Sequence, residues 1–395
     1  MRRNKTMNIL VITRWHPNSA EPVKCTFVKE LHSHYSKMLP NDNITVISPI
    51  PYYPSILSRF LKTKYDKFLS VNDLQMDAYP ILFPRYFKIP GKMFAAYEWY
   101  SYYLSLKRSI SKLSSSFDIV HTHGLVPDGL VGRQIAKDLR VPLVSHAHDG
   151  GIDHFSVPEM RLAKKVCQDA DAIIAVSDRQ KMIIEQYLSA DPDKVITINN
   201  GIDSRKFCVL ESMNNTKKYF RLLSVGNLNY GKGFDILLGA IYLLQQNSLD
   251  ISLTVVGEGV ERDSLNKLID SYQLINVKFL GAIPNNKLPQ IYNQHDAFIL
   301  STRSETFGIV FIEALACGLP VVAPRIAPLT DILPEEFCIF ADPESSSSFA
   351  EAIIIIKEKR WEKNRIAESV SKYSLQNSAR ELRRVYEKVL SYRTS

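Results

Sequence analysis

Short apolar runs alternate with helical patterns along almost the whole chain, and this alternation restricts the fold more than any other feature. Twelve runs have the length of buried strands. They cover residues 8–13, 44–48, 118–122, 142–146, 172–177 and 195–199 in the first half, and 221–226, 251–256, 277–280, 297–300, 321–323 and 338–340 in the second. Strands separated by helices form parallel sheets. The sequence therefore predicts an α/β protein with two Rossmann-like domains.

A polar stretch without periodicity separates the two sets of strands. It begins near Asn200 and extends to Asn215. We expect an N-terminal domain over residues 1–205, a linker over 206–218 and a C-terminal domain over 219–376. A final helix over 378–392 has apolar residues at helical spacing, so it needs a partner surface. These residues are Leu382, Val385, Tyr386, Val389 and Leu390.

Composition and segment lengths favour a globular protein of a reducing compartment. The chain has 395 residues, of which 45% are hydrophobic and 23% charged. Its five cysteines are scattered and form no CxxC pair, which argues against a disulfide framework and a zinc site of that type. The apolar run before Arg14 is too short for a signal peptide, and Met7 is an alternative start. No stretch reaches the roughly 20 apolar residues that span a bilayer. We expect a cytoplasmic protein.

The stretch over residues 296–324 carries the strongest chemical signal. It predicts a strand, a polar loop containing Glu305, a helix from Phe307 and another strand. Glu313 lies inside the apolar helix, where a carboxylate is costly unless a ligand such as a polyhydroxyl compound donates hydrogen bonds to it. The first N–H groups of the helix have no partner within it and suit a phosphate. They belong to Phe307, Gly308, Ile309 and Val310. A solvated Glu305 and a Glu313 on an exposed helix edge remain the alternative.

This stretch resembles a known signature. The segment SETFGIVFIEALACGLPVVA is similar to the Glu-x7-Glu motif of retaining, nucleotide-sugar-dependent glycosyltransferases of the GT-B fold, the "group 1" or family-four class. The resemblance implies two Rossmann-like domains whose parallel sheets face each other across a cleft, with a terminal helix over 377–395 crossing back to the first domain. It also implies that Glu313 holds the ribose of the donor and Glu305 the transferred sugar.

The second predicted domain opens with a further candidate for phosphate binding. A strand runs into a loop rich in Gly and Asn and then into a helix from about Phe234, with Lys232 at the helix mouth. Lysine beside a helix N-terminus suits a phosphate, although a solvated loop lysine is the alternative. Family members commonly have an arginine where this chain has Asn227. The resemblance therefore implies that Lys232 neutralises the diphosphate alone or with another cation such as Arg303.

Four histidines lie at the ends of two predicted strands, as His121-x-His123 and His146-x-His148. Alternate residues share a face of a strand, so a metal site is geometrically possible. No cysteine or carboxylate completes the set, and we expect ordinary strand-end side chains and no metal. The segment Pro-Leu-Val-x3-His resembles the family stretch that places His148 against the sugar. His123 is then expected to line the acceptor side.

The loop after the first strand departs from the family pattern. Cys25 stands where a glycine is common before Phe-Val. A side chain at this position is expected to restrict close approach of the backbone to the donor. A buried, unreactive cysteine is favoured over a nucleophile because no partner base is implied.

Positive charge is concentrated in one span. The net charge is +8, and the span from Arg59 to Lys112 holds ten basic and four acidic residues. Its aromatics include Phe60, Tyr65, Phe68, Phe83, Tyr86, Phe87, Phe94, Tyr97, Trp99, Tyr100, Tyr102 and Tyr103. Basic charge among aromatics is typical of an anionic membrane contact or of a single-stranded nucleic-acid site. No nucleic-acid motif accompanies the span. The alternative is an aromatic core beneath solvated lysines.

The resemblance implies a retaining, metal-independent hexosyltransferase that needs no cofactor beyond its donor. It moves a sugar from a nucleotide-diphosphate sugar to a glycan or lipid-linked acceptor in surface-polysaccharide assembly, on the inner face of the membrane. The predicted catalytic residues are His148, Glu305 and Lys232. The predicted donor-binding residues are Asn227, Lys232, Phe307, Gly308, Ile309, Val310 and Glu313. The alternatives are another GT-B enzyme (a nucleotide-sugar epimerase or a phosphorylase) and a non-catalytic partner subunit.

Overall fold

The structure is a computed structural model that describes residues 6–22, 25–52, 66–88, 95–148, 152, 155–210 and 219–392. The chain divides into two compact units. The first unit comprises Met1–Asn199 and Leu375–Ser395, and the second comprises Asn200–Ser374. The second unit thus begins ahead of the expected linker, of which residues 211–218 lie outside the described part.

The first unit is built on a predominantly parallel sheet. Its strands are β1 (Asn8–Ile12), β2 (Asn43–Ile47), β3 (Ile50–Tyr52), β4 (Leu74–Met76), β5 (Pro80–Leu82), β6 (Arg85–Phe87), β7 (Ile119–His123), β8 (Leu143–Ala147), β9 (Ala172–Ala175) and β10 (Val195–Thr197). Eight of them form one sheet in the order β10-β9-β8-β7-β1-β2-β5-β4, in which only β4 is antiparallel to its neighbour. Strands β3 and β6 form a separate parallel pair. The described helices before the second unit are α1 (Thr26–Met38), α2 (Ala95–Ile110), α3 (Leu130–Leu139), α4 (Val157–Asp169) and α5 (Asp178–Leu188).

The second unit is a doubly wound sheet of six parallel strands. They are β11 (Phe220–Val225), β12 (Ile251–Val256), β13 (Val277–Phe279), β14 (Ala297–Ile299), β15 (Val321–Pro324) and β16 (Cys338–Ala341). Their order is β13-β12-β11-β14-β15-β16. The helices are α6 (Phe234–Gln246), α7 (Arg262–Ser271), α8 (Leu288–Asn293), α9 (Ile309–Ala316), α10 (Leu329–Ile332), α11 (Ser346–Glu358) and α12 (Lys363–Glu368), and α13 (Leu375–Ser391) then joins the first unit.

Alternating side chains along the strands build a core on both faces of the first sheet. On β7, Val120 packs into the cluster formed with α3 and α4, whereas Ile119 packs into the cluster formed with α1 and α13. Side chains two residues apart share a face. The face that carries Ile119 therefore also carries His121 and His123, beneath α1 and α13.

The predicted α/β class and the twelve predicted strands are confirmed, each end to within two residues. The prediction omitted β3 to β6, which have three residues each. Strands β4 to β6 lie in the aromatic, basic span, and β3 precedes it. The terminal helix is also confirmed, because Leu382, Val385 and Tyr386 on α13 are buried against the first unit. Among the described residues, no helix is both long and apolar enough to cross a membrane.

The strand order reverses beside the first strand of each unit. The reversal lies between β1 and β7 in the first unit and between β11 and β14 in the second. Open parallel sheets bind ligands at the carboxyl ends of the strands that flank such a reversal. The loops that follow these four strands are therefore the expected location of a binding site.

Candidate functional site

In the second unit, the loops after β11 and β14 are joined by hydrogen bonds. The Ser301 hydroxyl donates to the Gly233 carbonyl (2.5 Å), and the Arg303 N–H donates to the Gly231 carbonyl (2.8 Å). Gly233 has φ 65°, and a Cβ on it would lie 2.0 Å from the Ser301 carbonyl oxygen. Only glycine fits where the backbones of the two loops cross at this short distance. This crossing of the loops fixes one loop against the other.

The crossing brings two predicted catalytic residues together. Nζ of Lys232, from the loop after β11, forms an ion pair with Oε1 of Glu305, from the loop after β14. The side chains are 25% and 10% exposed, respectively, so solvent still reaches the pair. Each charge is therefore balanced by the other without a ligand.

Arg303 is held by other groups of the same loops. Its guanidinium donates two hydrogen bonds to Asp235 (2.9 and 2.7 Å) and one to Glu344 (2.8 Å). It also lies over the Tyr230 ring, 3.8 Å from the centroid. Two carboxylates already match its charge. Arg303 therefore fixes the loop, and the structure gives no support to the expectation that it assists Lys232.

Helix α9 begins two residues later than predicted. Gly308 is its N-cap, with φ 83°, and a Cβ there would lie 2.6 Å from Cδ2 of Leu329. The Phe307 side chain is buried. No residue that the structure describes accepts a hydrogen bond from the backbone N–H of Ile309 or Val310. These two groups are available to an anionic ligand.

Glu313 is buried on α9, with 5% of its surface exposed, and accepts a hydrogen bond from the Tyr292 hydroxyl (2.9 Å). Burial and the nearby carboxylate raise the pKa of Tyr292 well above its usual range, which keeps the phenol a donor. The alternative of an exposed helix edge is therefore excluded for Glu313. Tyr292 was missed because nothing in the sequence of α8 links it to α9.

The predicted donor residue Asn227 follows β11 and is exposed. The adjoining backbone packs against the turn after β12, where a Cβ on Gly257 would lie only 1.9 Å from the Gly226 carbonyl oxygen. The glycine at residue 257 is thus explained by the packing of two loops. Asn227 itself is placed beside the strand end with its side chain accessible.

In the first unit, Cys25 adopts a backbone conformation that glycine favours. It is the N-cap of α1, with φ 46° and ψ 46°. Left-handed backbone is strained for a residue with a Cβ. The occurrence of glycine at this position in the resembling family therefore has a local physical reason. None of the five cysteines, all of which the structure describes, forms a disulfide, and Cys25 is half-buried rather than buried as expected.

A cavity of about 360 Å³ lies at the carboxyl ends of β1 and β2. Its lining includes Arg14, Trp15, Asn18, Phe68, Tyr86 and Lys88. The cations are matched by carboxylates, since Arg14 lies 3.3 Å from Asp128 and Lys88 lies 2.6 Å from Glu98. The cavity thus presents aromatic faces and balanced charge.

His148 follows β8 and is half-buried. Its Nε2 lies 2.8 Å from Nδ1 of His123, and its ring centroid lies 4.8 Å from that of Phe27. Burial, together with nearby His32, lowers the pKa of His148 to about 3, so the ring is neutral at pH 7. His123 ends β7 fully buried. The expectation that His123 lines the acceptor side is wrong, because its ring contacts other histidines.

The aromatic, basic span from Arg59 to Lys112 is only partly described, because residues 53–65 and 89–94 lie outside the described part. Six of its aromatics belong to the core: Phe68, Tyr79, Phe83, Tyr86, Tyr102 and Tyr103. Lys67, Lys88 and Lys107 are paired with carboxylates. For these residues the aromatic-core alternative is correct. Phe87, Tyr100 and Leu104 remain exposed.

Comparison with known proteins gives two family matches. Residues 210–373 match the model described as "Glycosyl transferases group 1", and residues 69–206 match "Glycosyltransferase Family 4". The Saccharomyces cerevisiae phosphatidylinositol N-acetylglucosaminyltransferase GPI3 subunit is 26% identical over 71% of this chain and 65% of its own length. The matched part of the chain thus spans just under two thirds of that relative. The Bacillus subtilis protein TuaC, a putative teichuronic acid biosynthesis glycosyltransferase, is 23% identical over 92% of both chains.

Solved structures share the fold. The sucrose-phosphate synthase of Thermosynechococcus elongatus superposes with a TM-score of 0.81 at 18% identity, covering 98% of this chain and all of that one. The Anabaena protein HepE, in complex with UDP and glucose, superposes with a TM-score of 0.72 at 19% identity, covering 97% of this chain and all of that one. The match extends over both units.

Proposed function

The chain belongs to the group 1 glycosyltransferases of the GT-B fold, and on that premise we propose that it is a retaining enzyme. It transfers a sugar from a nucleotide-diphosphate sugar to a glycan or lipid-linked acceptor. One observation carries the proposal: the Lys232–Glu305 pair lies with the first N–H groups of α9 at the strand ends that flank the order reversal. An anion and a polyhydroxyl compound find complementary groups there.

The proposed chemistry is electrostatic. Lys232 and the N–H groups of Ile309 and Val310 stabilise the charge that develops on the departing diphosphate. Glu305 accepts hydrogen bonds from the transferred sugar, and Glu313 holds the ribose. The acceptor attacks from the face that the diphosphate leaves, so the configuration is retained without a protein nucleophile. These donors take the place of a metal at the diphosphate.

We assign His148 to the transferred sugar. Its lowered pKa keeps the ring neutral, so it adds no positive charge that would oppose an oxocarbenium-like state. A neutral imidazole can still accept or donate one hydrogen bond. The bond to His123 fixes which nitrogen is left for a sugar hydroxyl.

The test compares two glutamates. Glu305→Ala is expected to abolish transfer while nucleotide binding stays measurable, because Glu305 acts on the sugar. Glu313→Gln keeps an oxygen for Tyr292 and is expected to weaken nucleotide binding. Transfer is measured with UDP-, GDP- and ADP-sugars, and binding by thermal shift, in which a ligand at 100 times its Kd stabilises by about 2.7 kcal/mol.

The control is Glu336→Gln, because this carboxylate is exposed and paired with Arg365 in the same unit. Its transfer activity and its nucleotide binding should equal those of the wild type. Wild-type turnover in both Glu305→Ala and Glu313→Gln would remove the proposed mechanism. Product formed without an acceptor would indicate an epimerase, and product formed only with phosphate would indicate a phosphorylase. No stabilisation by any nucleotide would indicate a non-catalytic subunit.

For the acceptor, we propose the cavity at the ends of β1 and β2. Aromatic faces and paired carboxylates suit sugar rings and hydroxyls, which need apolar contact and acceptors at once. Trp15 and Tyr86 in the cavity provide the apolar contact, and Glu98 at its border provides the hydrogen-bond acceptor. Trp15→Ala should raise the KM for the acceptor while the KM for the donor stays unchanged.

We also propose a contact with an anionic membrane surface through the span from Arg59 to Lys112. Phe87, Tyr100 and Leu104 are exposed there among basic residues, which supports interfacial binding. Anionic liposomes should capture the protein at low salt and release it at high salt. Tyr100→Ser with Leu104→Ser should weaken capture, whereas Tyr187→Ser, an exposed tyrosine on α5, should not. Capture that ignores salt and lipid charge would remove the contact.

A further inference from the structure

Five histidines gather in the first unit, although the sequence pointed to four. His121 and His123 lie on β7, His146 lies opposite His123 on β8, and His148 follows. The fifth, His32, comes from α1, which covers the same face of the sheet. Ring centroids lie 4.1 Å apart for His146 and His148, 4.5 Å for His121 and His123, and 5.0 Å for His32 and His123.

Several ring nitrogens of this histidine cluster are buried without a partner. Nδ1 of His32, Nε2 of His121 and both ring nitrogens of His146 have no hydrogen bond to any residue that the structure describes. The three residues are at most 2% exposed. Folded proteins seldom leave buried polar atoms unpaired, and a cluster of such atoms calls for a bound species.

The rings are in the form that binds metals. Burial lowers the pKa of His32 to about 3 and the pKa values of His121, His123 and His146 well below their usual range. The imidazoles are neutral at pH 7, and each has a nitrogen lone pair to offer. Neutral imidazole is the commonest metal ligand in proteins.

We propose that His32, His121 and His123 bind a divalent transition-metal ion of the zinc class. One ligand nitrogen from each of the three lies within 4.8 Å of the other two. Imidazole donors suit zinc, copper and nickel, whereas magnesium and calcium require oxygen ligands. This site revises the sequence-based expectation that the chain binds no metal.

Two of the three rings also have outer partners of the kind found at metal sites. Nδ1 of His121 lies 2.6 Å from the Tyr386 hydroxyl of α13, and Nδ1 of His123 lies 2.8 Å from Nε2 of His148. A metal-binding histidine usually donates its second N–H to such an acceptor, which fixes the tautomer and the ring orientation. Nε2 of His121 is then left for the ion, and Nε2 of His123, which lies 2.7 Å from Nε2 of His32, becomes a ligand when the ion replaces that hydrogen bond.

A second trio shares one member with the first. His123, His146 and His148 also have ligand nitrogens within 4.8 Å of one another. We assign the ion to the first trio because its three residues are fully buried, whereas His148 is half-buried. The assignment uses none of the side chains of the second unit, so it stands or falls separately from the proposed transfer reaction.

The experiment measures zinc in the full chain purified without a polyhistidine tag. The protein is stripped with a chelator, reloaded with zinc, dialysed and analysed by mass spectrometry for metals. We expect about one zinc ion per chain, since three imidazoles and a further ligand complete a zinc site. Zinc should raise the thermal midpoint of the stripped protein, and cobalt(II) should give visible absorption bands.

The variants locate the ion. His32→Gln and His121→Gln are expected to lower zinc affinity at least about tenfold, which is the smaller of the losses seen when even an outer partner is removed. His34→Gln is the matched control, because it lies on the same helix outside both trios and should keep full affinity. If His121→Gln fails to fold, the wild type and His32→Gln still decide.

Three outcomes would overturn the proposal. They are a reloaded wild-type protein without zinc, equal zinc affinity in His32→Gln and the wild type, and loss of zinc in His34→Gln. The second of these outcomes, combined with loss of zinc from His146→Gln, would assign the ion to the second trio instead. None of these outcomes bears on the glutamate variants that test the transfer reaction.

Discussion

The polar side chains in the loops at the strand-order reversals have different partners in the two units. In the second unit, Lys232 is paired with Glu305, and Arg303 is paired with Asp235. In the first unit, the histidines at the ends of β7 and β8 are neutral, and several of their nitrogens have no partner among the described residues. The backbones differ as well, since the helix after the first loop starts from Gly233 in one unit and from Cys25 in the other.

This contrast indicates which unit has its polar groups satisfied by its own residues and which requires a bound species. Paired charges satisfy one another, so the second unit can present its ion pair to a ligand and recover it afterwards. Buried neutral nitrogens cannot be satisfied by solvent, so the first unit needs a bound species to complete them. On the two proposals made above, the same position in two similar sheets serves exchangeable binding in one unit and permanent binding in the other.

The largest effect is expected from breaking the ion pair. Lys232→Met should lower kcat by about 10²–10³-fold, equivalent to about 2.7–4 kcal/mol, because the charge on the departing diphosphate loses its cation. Steady-state kinetics measure the loss. Lys267→Met, an exposed lysine on α7, should leave kcat unchanged. If the two variants were equally active, the second-unit loops would not perform the transfer.

The next largest effect is expected from the backbone at Gly233, where the two loops of the second unit cross. Gly233→Ala should destabilise the second unit by about 3 kcal/mol, because the residue has positive φ and its Cβ would overlap the Ser301 carbonyl. Gly231→Ala is the control, since the nearest atom to its Cβ is the movable side-chain oxygen of Asn229, 3.3 Å away. Denaturant unfolding gives both values. A neutral Gly233→Ala would show that the loops do not need their close crossing.

A smaller effect is expected from pH in metal-free protein, and it should arise in the first unit. The histidine cluster has folded-state pKa values below 6.5, and that of His32 is about 3. The unfolded chain therefore takes up protons first, and stability is lost as pH falls from about 6.5 towards 3, by up to about 1.4 kcal/mol per pH unit and histidine. Thermal midpoints from pH 8 to pH 5 measure the trend. His32→Gln should flatten it, whereas a slope unchanged by that variant would refute the neutral cluster.

The smallest effect concerns the strained cysteine of the first unit. Cys25→Gly should stabilise the chain by about 1 kcal/mol, because glycine adopts the left-handed backbone at lower cost. Cys208→Ala is the control, since its backbone is not in this region. The change is measured by thermal unfolding. Destabilisation by Cys25→Gly would mean that the cysteine side chain contributes more than its backbone costs.

The sequence was a good guide to what is periodic and a poor guide to what depends on packing. Apolar runs located the long strands and α13, because burial imposes a regular pattern on them. Motif spacing brought out Glu305 and Glu313, but their partners come from separate segments of chain. Nothing near Tyr292 indicates that its hydroxyl reaches Glu313. His32 did leave a signal, because it stands with Val28, Leu31 and Tyr35 at helical spacing on the buried face of α1.

The chain passes between the two units twice, and the two connecting segments lie side by side. On the side of the first unit, the Ser378 hydroxyl donates to the Asn199 carbonyl. On the side of the second unit, the Ile202 N–H donates to the Tyr373 carbonyl, and both distances are 2.9 Å. Asn200–Ser374 is thus an insertion whose ends lie side by side. Residues 200–374 can therefore be exchanged between relatives as one domain with two adjacent boundaries. After deletion of this domain, a short peptide linker can join Asn199 to Leu375.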